Sequence, residues 1–316
     1  MLDVVFNRAL DLSMLIHIPV KLFSMYIVFF HSPNEMGALP FFILNVMFWN
    51  FLGNVLGATL HVNPQFPSSC FQADGPISVI TDDPHVHHLF FGGIFGCVLN
   101  CALALSLAFP YRYLVFVFPG LVKGTNMRYG ACLCAGIHLL YTVVYAFIYS
   151  QFMLVDTTEP DLSAEDRFCH WSHGWHKNIF FIGFSTAIVI SLATMSAFSL
   201  LLRYSLQNMT CFLSKSTLEV HRKFLLYLLI NTAVPLAFGG FPTMIFLFCA
   251  YYPHIVFARE ISLLCIFIMV NHGAVYSLVT LVTFKPYNYA ARRAILHLLL
   301  PKPSTVHHMV ISSPRG

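Results

Sequence analysis

The sequence predicts an all-α protein that crosses a lipid bilayer as a bundle of seven helices. Of its 316 residues, 58% are hydrophobic and only 9% are charged, whereas a soluble domain carries about 25% charged residues. Because so few charges cannot cover a water-exposed surface of this size, most of the apolar surface must face lipid. The formal net charge of +4 is too small to indicate a nucleic-acid partner.

Seven apolar stretches are long enough to cross the hydrocarbon layer, for which a helix needs about 20 mostly apolar residues. They span residues 10–30, 39–60, 89–109, 129–151, 179–202, 224–251 and 261–284. They predict a transmembrane domain over residues 1–284, followed by a basic cytoplasmic tail over residues 285–316. The apolar run Leu114–Val122 is short and is broken by Pro119 and Gly120, so we expect an interfacial loop there and not an eighth helix.

Lysine and arginine predict the orientation of the bundle, because cytoplasmic loops are enriched in these residues. If the N-terminus lies outside, the segments that follow the first, third, fifth and seventh helices are cytoplasmic. These segments contain twelve basic residues, and the outer segments contain four. We therefore expect an outer N-terminus and a cytoplasmic C-terminus.

Lys21 is a charged residue inside an apolar stretch. Such a lysine either extends its side chain to the interface or pairs within the protein, or it serves a binding pocket or a proton relay. No acidic residue lies deep within any of the seven stretches. This composition disfavours a pump or a transporter coupled to protons or cations.

Histidines form two groups next to predicted outer helix ends, and lone histidines lie within three helices. The groups are His85, His87 and His88, and then His170, His173 and His176. His170 and His173 would share a face if their segment were helical, and could then bind a metal; the alternative is a set of interfacial histidines beside Trp171 and Trp175. A haem would use His17, His138 and His272. The sequence contains no nucleophile, phosphate-loop or dinucleotide motif, so we predict neither an enzyme nor a cofactor.

Cys70 and Cys169 are the two cysteines in predicted outer segments. An oxidising environment permits a disulfide there, which would tie two loops together over a pocket. The alternative is two separate thiols.

Two features suggest a protein with two conformations. Pro235 interrupts the sixth helix and frees a backbone carbonyl, which produces either a hinge or a static kink. Tyr111, Arg112 and Tyr113 stand at the cytoplasmic end of the third helix. The arginine either switches between a neighbouring helix and a partner protein or is a plain positive anchor.

Four segments resemble the nematode seven-helix chemoreceptors of the Str superfamily, particularly class H and its relatives in classes I, J and D. The segments are residues 19–36, which contain Pro19, Tyr26, Pro33 and Met36; Phe109-Pro-Tyr-Arg-Tyr113; residues 216–224 followed by Pro235; and His272-Gly273 with Lys285-Pro286-Tyr287. The chain departs from the family pattern at His221, Asn231 and Asn288.

The resemblance implies a G-protein-coupled chemoreceptor for small environmental molecules, in the plasma membrane and the sensory cilium of chemosensory neurons. A small ligand would bind from the outside, and Arg112 with Lys215, Arg222 and Lys223 would engage a heterotrimeric G protein. The alternatives are a transporter or channel for a small solute and, third, a metal- or haem-dependent oxidoreductase.

Overall fold

The computed structural model describes residues 2–33, 36–120, 127–154, 167–171, 173–208 and 215–299. Within these residues, seven helices are long and apolar enough to cross a membrane, so the predicted architecture is confirmed. They are α1 (Leu2–Phe30), α2 (Leu39–Leu60), α3 (Pro84–Val117), α4 (Met127–Phe152), α5 (Trp175–Asn208), α6 (in three consecutive segments, Lys215–Pro235, Leu236–Gly240 and Phe241–Tyr251) and α7 (Ala258–Thr283).

Several helices extend beyond the predicted apolar stretches, and α3 shows why. Asp83 caps its first turn by accepting a hydrogen bond from the backbone N–H of His85 at 2.9 Å, and Pro84 occupies a first-turn position where no donor is needed. At the other end α3 continues to Val117, so the prediction of a loop over all of 114–122 is wrong. Phe116 explains the extra turn, because it packs with Leu202 and Leu225 of the neighbouring helices.

The centre of the bundle is α3, which packs against α2, α4 and α5. In the most apolar 18-residue stretch of α3, 61% of the residues are buried inside the protein, whereas in the corresponding stretch of α4 only 17% are buried. The helix α7 packs against α1, α2 and α6. A ligand inside this bundle would therefore contact α3 and α7, whereas most of α4 is left for lipid.

A four-stranded antiparallel sheet covers one end of the bundle, and the sequence analysis did not predict it. Its strands are β1 (Val62–Pro64), β2 (Cys70–Ala73), β3 (Met153–Leu154) and β4 (Arg167–His170), in the spatial order β1-β2-β4-β3. We call this end of the bundle the sheet end, and the opposite end the Arg112 end. The sheet joins the connection after α2 to the connection after α4.

The predicted tail begins as a helix. Residues Lys285–Leu299 form α8, which leaves α7 at Phe284, and it packs against α1 and α7. Tyr287 anchors it, because this side chain is fully buried and its hydroxyl lies 2.8 Å from Ser32 Oγ. Residues 300–316 of the predicted tail lie outside the described residues.

Two large hydrophobic clusters of the described residues fill the bundle, one at each end, beside the small cluster around Phe116. The two large clusters differ in composition. The cluster at the sheet end is dominated by aromatic rings, among them Phe71, Phe91, Phe95, Phe168, Phe180 and Phe246. The cluster at the Arg112 end contains smaller and more flexible side chains, among them Val28, Met47, Ala104, Met195 and Ala290. A cavity lies in the middle of the bundle.

Candidate functional site

The central cavity has a volume of about 130 Å³ and lies between α2, α3, α5, α6 and α7. Its walls are mainly apolar, with a few polar groups contributed by α2, α5, α6 and α7. The residues that define it include Trp49, Asn50, Asn54, Phe91, Phe95, Cys101, Ser191, Met195, Thr232, Pro235, Gly239, Met269 and His272. An apolar pocket with a few convergent polar groups is typical of a small-molecule site.

A layer of aromatic rings closes the cavity towards the sheet. Phe91, Phe95 and Phe246 line both the central cavity and a smaller pocket beneath the sheet. Phe71 of β2 covers them, with its ring centroid 4.8 Å from that of Phe91 and 6.2 Å from that of Phe246. These rings therefore lie between the central cavity and strand β2.

The middle of α6 forms one wall of the cavity and departs from α-helical geometry. Pro235 has no backbone N–H to donate, and it is followed by a π-helical turn over Leu236–Gly240. Such turns inside α-helices are frequent at functional sites. Gly239 faces α7 so closely that a Cβ atom at this position would lie 3.2 Å from the His272 ring. The predicted bend at Pro235 therefore touches both the cavity and α7.

Lys21 lies inside the bundle and does not reach the interface, since its side chain is only 2% exposed. Its ammonium donates a hydrogen bond of 2.8 Å to Asn50 Oδ1, and the Asn50 amide donates to His272 Nε2. Gly273 makes room for this pair, because a Cβ atom there would lie 2.5 Å from Lys21 Nζ and would overlap the Asn50 amide. The His272-Gly273 pair is thus adjacent to a buried polar cluster that joins α1, α2 and α7.

The other two helical histidines have different surroundings. His138 uses both ring nitrogens, since Nδ1 donates to Asn100 Oδ1 at 2.7 Å and Nε2 accepts from Asn45 Nδ2 at 2.9 Å. His17 is 1% exposed, and both of its ring nitrogens are buried without a partner among the described residues. Because His138 and His272 are hydrogen-bonded through both nitrogens, neither has a free nitrogen for a haem iron.

The structure brings His88 and His170, one from each of the two histidine groups, together at the sheet end. The hydroxyl of Tyr149 lies 3.2 Å from both His88 Nδ1 and His170 Nε2. The shared helical face that would have let His170 and His173 bind a metal is not formed, because His170 belongs to strand β4, whose backbone is extended. Burial and the neighbouring His88 hold the pKa of His170 well below its usual range. His176 stacks on Trp171 at a centroid distance of 5.1 Å, as the interfacial alternative expected.

The described residues contain no group of three or more histidine, cysteine or acidic side chains that could hold a metal ion. Cys70 and Cys169 are opposite each other in the pairing of β2 with β4, and a disulfide joins them with a Cα–Cα distance of 4.0 Å. This bond fixes the two loops over the aromatic layer.

At the Arg112 end, Arg112 bridges α3 and α6. Its guanidinium donates to His221 Nδ1 at 3.3 Å and lies 4.4 Å from the centroid of the Phe224 ring. The flanking tyrosines pack sideways, Tyr111 on Phe42 of α2 at 4.9 Å and Tyr113 on Phe198 of α5 at 5.7 Å. Arginine 112 therefore has neutral partners from α6, which an approaching anion or carbonyl group could replace.

The other predicted basic residues of this end are on α6 and α8. Arg222 and Lys285 are exposed, and Lys223 forms a 2.7 Å ion pair with Glu219, whose carboxyl pKa it lowers. The backbone of Lys215 begins α6, and its side chain lies outside the described residues. Pro286 is in the first turn of α8 beside the buried Tyr287.

Sequence reasoning missed two residues of this site, Asn50 and Tyr149, and noted Gly239 only as a helix breaker that follows Pro235. Asn50 carries a readable signal, since a buried amide within an apolar membrane helix requires a hydrogen-bond partner. Gly239 and Tyr149 acquire their importance from contacts between helices that lie far apart in the sequence.

Comparison with known proteins identifies the family. No curated protein matches the chain at a significant level. The family model described as "Serpentine type 7TM GPCR chemoreceptor Srh" matches residues 3–299, which covers all seven membrane-length helices. The predicted resemblance to nematode class H receptors is confirmed, and the chain belongs to the Srh family of serpentine seven-transmembrane chemoreceptors, a family of multi-pass membrane receptors and not of enzymes.

Proposed function

We propose that this chain is a G-protein-coupled chemoreceptor that binds a small, partly apolar molecule in the central cavity. The observation that carries the proposal is the position of the π-helical turn of α6. Pro235, Leu236, Gly239 and Gly240 line the cavity, so a ligand there touches the segment most suited to bend. A ligand shifts a conformational equilibrium only by binding one state more tightly than another, and this contact supplies such a difference.

The distribution of basic residues supports an outer sheet end and a cytoplasmic Arg112 end. Several arginines and lysines of the described residues lie at the Arg112 end: Arg112, Arg203, Arg222, Lys223, Lys285, Arg292 and Arg293. The Cys70–Cys169 disulfide at the sheet end suits an oxidising exterior. This orientation places the N-terminus outside, and we assign the receptor to the plasma membrane of sensory cilia, as the family suggests.

The Arg112 end would be the surface for a heterotrimeric G protein. In the structure Arg112 is held by His221 and Phe224 of α6. If α6 moves outward at this end, Arg112 loses both partners and becomes available to the G protein. The basic side chains of Lys215, Arg222 and Lys223 would then supply a positive surface for acidic groups of that partner.

Nucleotide exchange tests the proposal. The full chain in lipid nanodiscs is mixed with a purified heterotrimeric G protein and a panel of small acids, alcohols, ketones and esters. We expect at least one compound to raise the exchange rate, and Arg112→Ala to reduce that stimulated rate about tenfold or more. Arg203→Ala is the control, because Arg203 is an exposed arginine of the same end. Compound-independent passage of solutes through the protein, without exchange on any G protein, would favour the transporter or channel instead.

A further inference from the structure

The ammonium of Lys21 has fewer partners than its chemistry requires. A lysine ammonium has three N–H donors, and Asn50 Oδ1 is the one acceptor that the described residues provide. None of the described carboxylates lies within ion-pair distance of Lys21. The ion pairs found among the described residues involve other side chains. A buried cation without an anion is costly, and in a membrane helix such a residue is a functional candidate.

The ammonium is located directly behind the cavity wall. Asn50, which accepts its hydrogen bond, lines the central cavity, and so does His272, to which the Asn50 amide donates. A second buried group also lacks a partner: His17, one helical turn before Lys21 on α1, has no hydrogen-bond partner at either ring nitrogen among the described residues. Two neighbouring polar side chains of α1 are therefore buried with unused hydrogen-bonding capacity.

We propose that the central cavity binds small organic acids, whose carboxylate pairs with Lys21 by taking over the hydrogen bond that Asn50 Oδ1 accepts. The carboxylate supplies both the missing charge and up to four acceptor positions, and the apolar walls accommodate the rest of the molecule. An ester or alcohol of the same length would fill the walls equally well but would leave the cation unpaired. This inference rests on the proposed use of the cavity as the ligand site.

The same geometry connects the carboxylate to the bend in α6. If Asn50 loses its hydrogen bond to Lys21, its side chain can rotate, and the hydrogen bond that its amide donates to His272 is then also altered. The His272 ring is in close contact with Gly239 of the π-helical turn. An acid is thus expected to act on α6 through Asn50 and His272, and a neutral analogue is expected to act only through apolar contact.

Tryptophan fluorescence provides a direct binding test, because the chain has three tryptophans and Trp49 lines the cavity. Trp171→Phe with Trp175→Phe leaves Trp49 as the reporter in the full chain. The protein in nanodiscs is titrated with sodium carboxylates from butanoate to decanoate and with the methyl ester of each. We expect a saturable change with the best acid and a dissociation constant about tenfold or more below that of its ester.

Substitutions of Lys21 identify the cause. Lys21→Met should remove the preference for the acid and leave ester binding unchanged, and Lys21→Arg should keep most of the preference. Lys177→Met is the control, because Lys177 is a lysine at the sheet end that donates to the Tyr251 carbonyl oxygen at 2.8 Å. If Lys21→Met does not fold, the inference is still tested by the ratio of the dissociation constants for acid and ester, measured in the parent chain and in Lys21→Arg.

Three results would overturn the inference: no saturable response to any acid, equal binding of acid and ester, or an acid preference that survives Lys21→Met. Lys21-dependent acid binding without nucleotide exchange on any G protein would leave the acid site standing and would refute the receptor function. Nucleotide exchange stimulated only by neutral compounds would support the receptor function and would refute the acid site.

Discussion

The two ends of the bundle are held together in different ways. At the sheet end, a disulfide, a four-stranded sheet and a layer of phenylalanines join the connections to the helices. Arg259 reinforces this end by binding Asp3 at 2.5 Å and Asn63 at 3.1 Å. At the Arg112 end, α3 and α6 meet through side-chain contacts: Arg112 contacts His221 and Phe224, and Phe116 packs against His221 and Leu225. The disulfide and the sheet join their segments through covalent and backbone bonds, whereas side-chain contacts can be exchanged one by one for those of another partner.

This difference indicates where the molecule can move. The π-helical turn lies between the two ends, so a change of bend there would displace whichever end of α6 is held less firmly. We expect the sheet end to keep its shape and the Arg112 end to open. Three changes should weaken the sheet end, and they follow in order of decreasing expected loss of stability.

Removal of the disulfide should have the largest effect. Cys70→Ser breaks a link between residues 99 positions apart, and the loss of such a link costs about 2–5 kcal/mol of folding free energy. The measurement is the thermal unfolding midpoint in detergent. Cys132→Ser is the control, because Cys132 is free and exposed. An equal loss in both variants, or none in either, would show that the disulfide does not hold the sheet end.

Gly92→Ala should disturb the aromatic layer by steric overlap. A Cβ atom at Gly92 would lie 2.6 Å from the Tyr149 ring, and overpacking of this kind costs about 1–3 kcal/mol. Tyr149 would move away from His88 and His170, which it joins. Gly136→Ala provides the matched control, since a Cβ atom at Gly136 meets nothing within 4 Å. The same unfolding assay applies, and a Gly92→Ala protein as stable as the control would contradict the tight packing described.

Acidification should weaken the sheet end by a smaller amount. Burial lowers the pKa of His170 below its unfolded value, so the unfolded chain binds this proton more readily than the folded chain. Above about pH 6.5, protonation of His170 does not affect the free energy of unfolding. Below that pH, the unfolded chain takes up the proton, and the free energy of unfolding falls by up to about 1.4 kcal/mol per pH unit.

The pH prediction is checked by unfolding midpoints at neutral and mildly acidic pH. His170→Phe should reduce the pH dependence, because the phenylalanine ring suits the surrounding Phe71, Phe91 and Phe152. His254→Phe changes an exposed histidine and should leave the pH dependence as it is. If His170→Phe has the same pH profile as the parent chain, another group causes the loss.

The sequence predicts the helices well because lipid imposes a simple requirement on them. Each helix must present about 20 apolar residues to the hydrocarbon, and this requirement is local in the sequence. Pro235 is equally readable, since its missing N–H disturbs any helix. The family resemblance, carried by short segments such as His272-Gly273, is confirmed by the family match.

The sheet and the polar cluster could not be predicted in the same way. The strands are short, and β2 pairs with β4 across more than ninety residues, so no local pattern marks them. Lys21 is visible in the sequence as an anomaly, but its partner Asn50 and the glycine that makes room for both lie on two other helices. These features depend on which helices are neighbours, which a single sequence does not state.

The central claim is that the sheet end stays fixed while the Arg112 end opens, and distances between spin labels test it most directly. One pair of labels is placed by Arg203→Cys and Leu226→Cys at the Arg112 end, and the other by His85→Cys and His254→Cys at the sheet end. All four positions are exposed. Cys132→Ser removes the exposed free thiol of the described residues, and Cys211→Ser removes a cysteine that lies outside them. On binding of a nucleotide-free heterotrimeric G protein, the distance between positions 203 and 226 should increase by several Å and the distance between positions 85 and 254 should not change. Equal movement of both pairs, or movement of the sheet-end pair alone, would contradict the account.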